Sequence, residues 1–196
     1  MVSKQLTPKP AELVMLRLHF SSDDLSRIRF ARRPDPLWEA ALSLTMLGSE
    51  QGRAAFNPWR AHARTELAEL PQEQRRLLRY VAPPRGPVPR KCSFPDFLTP
   101  PQASQGLEEG IDAILSTPRH RLRRELQDLP GEPSWARPLA DGDPETLTHL
   151  GQALRNYHHA VIAPYEPRIQ TLIDSERAGR IQPMLDHGSE ALLRDL

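Results

Sequence analysis

A mainly α-helical, multi-helix bundle with one short N-terminal β-strand is the fold class this sequence predicts, and three observations predict it. Leucines, alanines and aromatics recur at three- and four-residue spacings along most of the chain, the pattern that gives a helix one apolar stripe. Aspartate or asparagine followed by proline introduces such a stripe three times, at Asp35-Pro36, Asn57-Pro58 and Asp143-Pro144. The side-chain oxygen accepts orphaned N–H bonds, and proline is tolerated in a first turn that has no use for its missing donor. By contrast, only Val14 to Phe20 reads with a period of two, setting Val14, Leu16, Leu18 and Phe20 on one face and Arg17 and His19 on the other.

Taken in order, Ser21 or Ser22 caps a short turn through Leu25 and Ile28, and Asp35-Pro36 opens a helix through Leu37, Trp38, Ala41, Leu44 and Leu47 that Gly48 closes. Asn57-Pro58 is read as the start of an amphipathic helix carrying Trp59, Ala63, Leu67 and Leu70. A third helix around Leu77, Leu78 and Val81 stops at Pro83-Pro84, and the prolines from Pro83 to Pro95 exclude helix or central strand there. Beyond Pro101, Leu107, Ile111 and Ile114, then Leu122, Leu126 and Leu129, form an αα-hairpin. Asp143-Pro144 opens the most regular stripe, Leu147, Leu150, Leu154, Tyr157 and Val161; Pro164 interrupts it, and a further helix carries Tyr165, Ile169, Leu172 and Ile173 on one face. Gly188 and Ser189 lead to a last short element through Leu192 and Leu193. The expected organisation is a disordered tail over 1–13, a strand plus helical subdomain over 14–82, a Pro-rich loop over 83–101, and a second helical subdomain over 102–196 packed on the first.

Composition narrows the function. The 26 Lys plus Arg nearly cancel the 25 Asp plus Glu, so no global field draws the chain to nucleic acid or an acidic membrane. The apolar run at Val14 to Phe20 is too short for a signal peptide or for a span of about 20 residues, which leads to the expectation of a cytoplasmic protein with no membrane partner. Cys92, the single cysteine, cannot form an intrachain disulfide and is expected to be a spectator thiol. The basic run of Arg119, Arg121, Arg123 and Arg124 has Glu125 and Asp128 within a turn, so local pairing is expected to absorb its charge.

No phosphate-binding glycine loop, nucleophile elbow, zinc motif or Cys-x-x-Cys pair occurs, so no catalytic residue, metal or cofactor is expected, and a non-enzymatic role is preferred. His158 and His159 are adjacent and thus about 100° apart on a helix, unsuited to one ion. His158 falls on the inner face, as a hydrogen-bonded core or pocket histidine. Candidate ligand-binding residues are the amphipathic aromatics Trp38, Trp135, Tyr157 and Tyr165, with His158 and Arg168.

Several phrases occur together in a specific order: Asp35-Pro36-Leu37-Trp38-Glu39, Asn57-Pro58-Trp59-Arg60, Phe94-Pro95-Asp96-Phe97-Leu98-Thr99-Pro100, Trp135-Ala136-Arg137-Pro138-Leu139, Tyr157-His158 and Ala163-Pro164-Tyr165-Glu166-Pro167-Arg168-Ile169. In that order they resemble the N-terminal helical domain of actinobacterial winged-helix transcriptional regulators of the ArsR type. The resemblance runs from about Leu16 onward. It implies a domain that senses a small-molecule effector or a partner, with DNA read only through a winged-helix module that this sequence is expected to lack. It also implies a β-segment as the partner of the Val14–Phe20 strand; without that segment the strand is expected to form a homodimer through Val14–Phe20, to lie against the helices as an irregular segment, or to be disordered. Glu166 stands where the resemblance leads one to expect an aromatic, and Pro87 to Ser93 is extra loop. The alternative is a small helical enzyme or ligand-binding protein with a pocket near Tyr157, His158 and Arg168.

Overall fold

The computed structural model describes residues 19–21, 23–24, 27, 30–50, 52–82, 94–127, 129 and 134–188. The tail 1–13, Val14 to Leu18 of the expected strand, the stretch 83–93 with Cys92, and the element expected after Ser189 lie outside the described residues. The chain divides into two compact units, Ala31–Ala178 and Met1–Phe30 with Gly179–Leu196.

Within Ala31–Ala178 all regular structure among the described residues is helical. Helix α1, Pro36–Met46, starts where the sequence places it, because Asp35 Oδ1 accepts from the amides of Leu37 and Trp38, both at 3.0 Å. Its inner face buries Leu37, Ala40, Ala41 and Leu44. Helix α2, Arg53–Glu69, corrects the Asn57-Pro58 reading: it begins earlier, after Gly52 at φ 63°, and Pro58 lies inside it. That left-handed turn is open to glycine, and Pro58 deprives only the carbonyl of exposed Ala54, which faces solvent. From α2, Arg60 Nε reaches the Met46 carbonyl at 3.4 Å and Arg64 Nη2 the Leu47 carbonyl at 2.8 Å, so arginines serve the orphaned acceptors at the end of α1.

Helix α3, Gln72–Val81, buries Leu77, Leu78 and Val81. Two 3₁₀ turns, Asp96–Leu98 and Pro101–Ser104, precede α4, Leu107–Leu115, and α5, Arg119–Leu126; the αα-hairpin reading is corrected, because α4 packs chiefly on the second 3₁₀ turn and on Pro144–Tyr157, and α5 on the first 3₁₀ turn and Arg137–Ala140. A Cβ at Gly110 would stand 2.7 Å from Leu37 Cδ1 and 3.0 Å from Ala103 Cα, so glycine lets α4 approach α1 and the second 3₁₀ turn. After a turn at Ser134–Ala136 and the four-residue α6, Arg137–Ala140, comes α7, Pro144–Tyr157. Its cap is Asp143, whose Oδ2 accepts from the Thr146 amide at 2.8 Å and the Thr146 hydroxyl at 2.7 Å. The α7 stripe packs on α3 and α4, and Leu147, Leu150, Leu154, Tyr157 and Val161 are all buried.

Beyond α7 the backbone widens to a π segment, His158–Ile162, tightens to 3₁₀ at Ala163–Tyr165, and continues as α8, Glu166–His187. The face expected to unite Tyr165, Ile169, Leu172 and Ile173 does not form a buried stripe: Tyr165 precedes α8, no residue of α8 is buried, and Leu172 is 61% exposed, although Ile169 packs partly on the core. One cluster forms the core, joining Leu37, Leu44, Leu67 and Leu78 to Phe97, Ile111, Leu126 and Leu150. It draws on both sides of the stretch 83–101.

In the second unit, Asp24 Oδ2 accepts from the Ser21 amide at 2.9 Å and its hydroxyl at 2.6 Å, while the Asp24 amide donates back to Ser21 Oγ at 3.2 Å. This reciprocal cap opens a turn at the position expected for Ser21. Phe20 is half exposed, and His19 and Phe20 carry no strand pairing among the described residues.

Candidate functional site

Pro164 determines the local geometry at the end of α7. In a regular α-helix residue 164 would donate to the Ala160 carbonyl, but proline has no N–H. The Ala163 amide instead donates five residues back to the His158 carbonyl, which is the π bond. The freed Ala160 carbonyl lies 3.2 Å from His62 Nε2 on α2; the acceptor being a carbonyl, His62 donates. Tyr165 stacks at a tilt on the same imidazole, with ring centroids 6.1 Å apart.

The π segment sets the two polar groups of a cavity. His158 is 4% exposed, and neither ring nitrogen has a hydrogen-bond partner among the described residues. Its Nε2 lies 3.3 Å from Glu166 Oε1, close enough for charge attraction but not aligned as a hydrogen bond. Burial holds the His158 pKa below the ordinary histidine value; Glu166 acts against that depression and His159 adds to it. The imidazole is therefore neutral at pH 7, with one donor and one acceptor nitrogen.

His158 and Glu166 line a cavity of about 480 Å³, whose apolar walls are Pro34, Pro36, Ala103, Leu107 and Pro167. Arg33, Ser104, Gln105 and Gln170 supply the other polar side chains. Arg33 is exposed and has no ion pair among the described residues. Gln170 Nε2 donates to the Arg32 carbonyl at 2.8 Å and to Asp174 Oδ1 at 3.0 Å, leaving its amide oxygen as an acceptor.

Of the six residues singled out from the sequence, His158 lines this cavity and the other five do not. Tyr157 points the other way, into the core: its hydroxyl is 3.0 Å from Ser43 Oγ, which donates to the Ala40 carbonyl at 2.8 Å. Tyr157 is therefore the donor, and burial pushes its phenol up to about 12. Trp38 is half exposed and meets Phe94 edge-on at 5.6 Å; Trp135 is similarly exposed and meets Tyr80 at 5.7 Å. Tyr165 is half-buried beside His62, and Arg168 is exposed.

Sequence reasoning did not assign Glu166 to the site. Eight residues apart, His158 and Glu166 would stand about 80° apart on an uninterrupted α-helix, and the π segment shifts that phase. The signal available was Pro164 between them, together with the replacement of an expected aromatic by Glu166.

The basic run is paired, but only partly within its own turn: Arg121 pairs with Glu125 as expected, Arg119 and Arg123 pair with the distant Asp141, and Asp128 lies outside the described residues. Arg119 Nη2 and Arg123 Nη2 reach Asp141 Oδ1 at 2.8 and 2.5 Å, and hydrogen bonds from Arg119 and then Arg123 hold the Asp141 carboxyl below its ordinary range. Arg121 Nε lies 2.6 Å from Glu125 Oε1, while Glu125 Oε2 accepts from the Phe97 amide at 2.6 Å. Among the described residues no three His, Cys, Asp or Glu side chains converge as a metal site, and no described helix is long and apolar enough to cross a membrane. Comparison with protein-family models, curated proteins and solved structures gives no match for this chain.

Proposed function

We propose that this chain is the sensing domain of a transcriptional regulator of the ArsR type, and that the cavity at His158 and Glu166 is where a small-molecule effector binds. The observation that carries the reading is His158, a buried imidazole with no hydrogen-bond partner at either nitrogen among the described residues, on the wall of a cavity. A buried polar group left unsatisfied costs about 1–3 kcal/mol, and a ligand that completes it recovers that free energy. The volume falls in the range of roughly 300–1,000 Å³ typical of small-molecule sites. The regulatory family rests on the ordered phrases from Asp35-Pro36 to Ala163-Pro164 given above.

The position of the cavity suits a sensor. Glu166 opens α8 and His158 opens the π segment after α7, so a ligand engaging both acts on the joint between the helices. A coupled response requires only that the ligand prefer one arrangement of that joint over another. The test is a screen of a metabolite library by NMR on isotope-labelled protein. Compounds are expected to perturb resonances of His158, Glu166 and Leu107 together, and to lose binding in Ala103→Phe, which fills the cavity. Binding that ignores this substitution, or no binding at all, refutes the reading.

A second reading, a helical enzyme with His158 as general base, draws on the neutral imidazole beside a carboxylate in a cavity. Tyr157 and Arg168, the partners that reading needs, do not line the cavity.

A further inference from the structure

The polar wall of the cavity is rich in acceptors. Glu166 offers a carboxylate, Gln170 an amide oxygen whose nitrogen is already engaged, and His158 one lone pair on a neutral ring. The donors are the second imidazole nitrogen, the exposed Gln105 amide, the Ser104 hydroxyl, which already donates to the Pro101 carbonyl at 2.7 Å, and Arg33, an exposed side chain whose charge water screens, so the one full charge on the wall close to the imidazole is that of Glu166. An anion entering here meets the Glu166 charge and receives no compensating charge from the imidazole. A protonated amine meets the opposite situation. Its N–H groups donate to Glu166 Oε1 and to His158 Nε2, which stand 3.3 Å apart, and charge-assisted bonds to a carboxylate are about twice as strong as neutral ones.

Access is consistent with this. The Glu166 carboxylate lies across the Nε2 edge of His158, is half exposed, and makes no hydrogen bond to another described residue, so it is free to open toward an incoming donor. Apart from Ser104 and Gln105, the rest of the lining is apolar, and Pro34, Pro36, Ala103, Leu107 and Pro167 give the body of a ligand a mainly apolar wall. We infer that the cavity recognises a small primary or secondary amine with an apolar body, held by a bridge from its ammonium to Glu166 and His158. This rests on the cavity being a ligand site, as proposed above.

Three isosteric probes separate the inference from that reading: cyclohexylmethylamine, cyclohexylmethanol and cyclohexanecarboxylate, titrated into the full chain at pH 7.5 while the His158 ring resonances are followed. The amine is expected to bind about tenfold or more tighter than the alcohol, and the carboxylate more weakly than either. Glu166→Gln is expected to remove the amine preference while leaving alcohol affinity within about twofold. Equal or tighter binding of the alcohol or carboxylate at His158 overturns the amine assignment and leaves the cavity as a site for another class. If none of the probes moves the His158 resonances, the site itself fails and the inference with it. The probe comparison is made on the unsubstituted protein, so it stands even where Glu166→Gln perturbs folding.

Discussion

At His158 the fold keeps an imidazole out of water with no hydrogen bond from the described residues, and the consequence is a pH dependence of definite sign. Burial lowers its pKa in the folded state below the ordinary value of 6.5, so the unfolded chain binds the proton first. Stability contributed by neutral His158 is complete above that ordinary value and falls as pH drops through it toward the depressed folded value. The melting temperature should therefore decline on acidification from pH 7.5 toward pH 5, and the decline should be shallower in His158→Gln. Glu39, whose pKa burial raises, titrates with the opposite sign, so the difference between the two proteins is the quantity to measure. Parallel profiles would show that His158 titrates as it does in the unfolded chain. Its neighbour Tyr157 differs in kind: the phenol donates to Ser43 inside the core, away from the cavity. Tyr157→Phe removes one neutral buried hydrogen bond and should cost about 0.5–1.5 kcal/mol in urea unfolding, with ligand affinity unchanged. A loss of affinity larger than the loss of stability would place the hydroxyl at the site.

Element by element, the structure follows rules of backbone satisfaction, and these explain both what the sequence discloses and what it hides. Asp35 and Asp143 are readable as helix starts because cap and proline sit side by side. Asn57-Pro58 has the same form, yet α2 begins at Arg53, because Gly52 supplies an earlier left-handed turn and solvent serves the carbonyl that Pro58 deprives. The π segment is hidden for a related reason: Pro164 announces an interruption, but its partner His62 lies on α2, far away in sequence. His62 should hold the joint of α7 and α8. His62→Ala leaves the Ala160 carbonyl without its donor and should cost about 1 kcal/mol and shift the His158 ring resonances; His62→Gln, which keeps a donor, should recover much of both. Unmoved His158 resonances in His62→Ala would separate the bond from the site. Helix α4 carries a steric counterpart at Gly110, where a methyl group meets Leu37 and the Ala103 backbone. Gly110→Ala gains about 1 kcal/mol of helix propensity and loses about 1–3 kcal/mol to overpacking, so a net destabilisation is expected in thermal unfolding. Stabilisation would mean that the second 3₁₀ turn yields without strain.

For the molecule as a whole, period and caps give the helical class, whereas the grouping of helices depends on contacts no local pattern carries. Prolines from Pro83 to Pro95 read as a boundary because they forbid helix, but forbidding helix does not prevent the flanking helices from sharing a core. Helix α3, just before that stretch, packs on α7, well after it, and Gln74 Oε1 accepts from Asn156 Nδ2 at 3.0 Å across that interface. The exposed aromatics Trp38 and Trp135 were candidate pocket residues because their type suits pockets, and type says nothing of which face they occupy. These packing relations lead to a prediction about cooperativity. If the core of Ala31–Ala178 is one cluster, unfolding either side of the stretch 83–101 exposes apolar surface on the other, and the two should melt together. Trp59 lies before that stretch and packs partly on the core, and Trp135 lies after it. Single-tryptophan proteins that keep one or the other, the remaining tryptophans replaced by phenylalanine, report the two sides separately in urea. Each should show one transition, with midpoints that coincide once each variant's stability is normalised by far-UV circular dichroism. Two midpoints, or a Trp135 transition completed while Trp59 remains folded, would show that 83–101 divides the helices into independent subdomains despite their shared core.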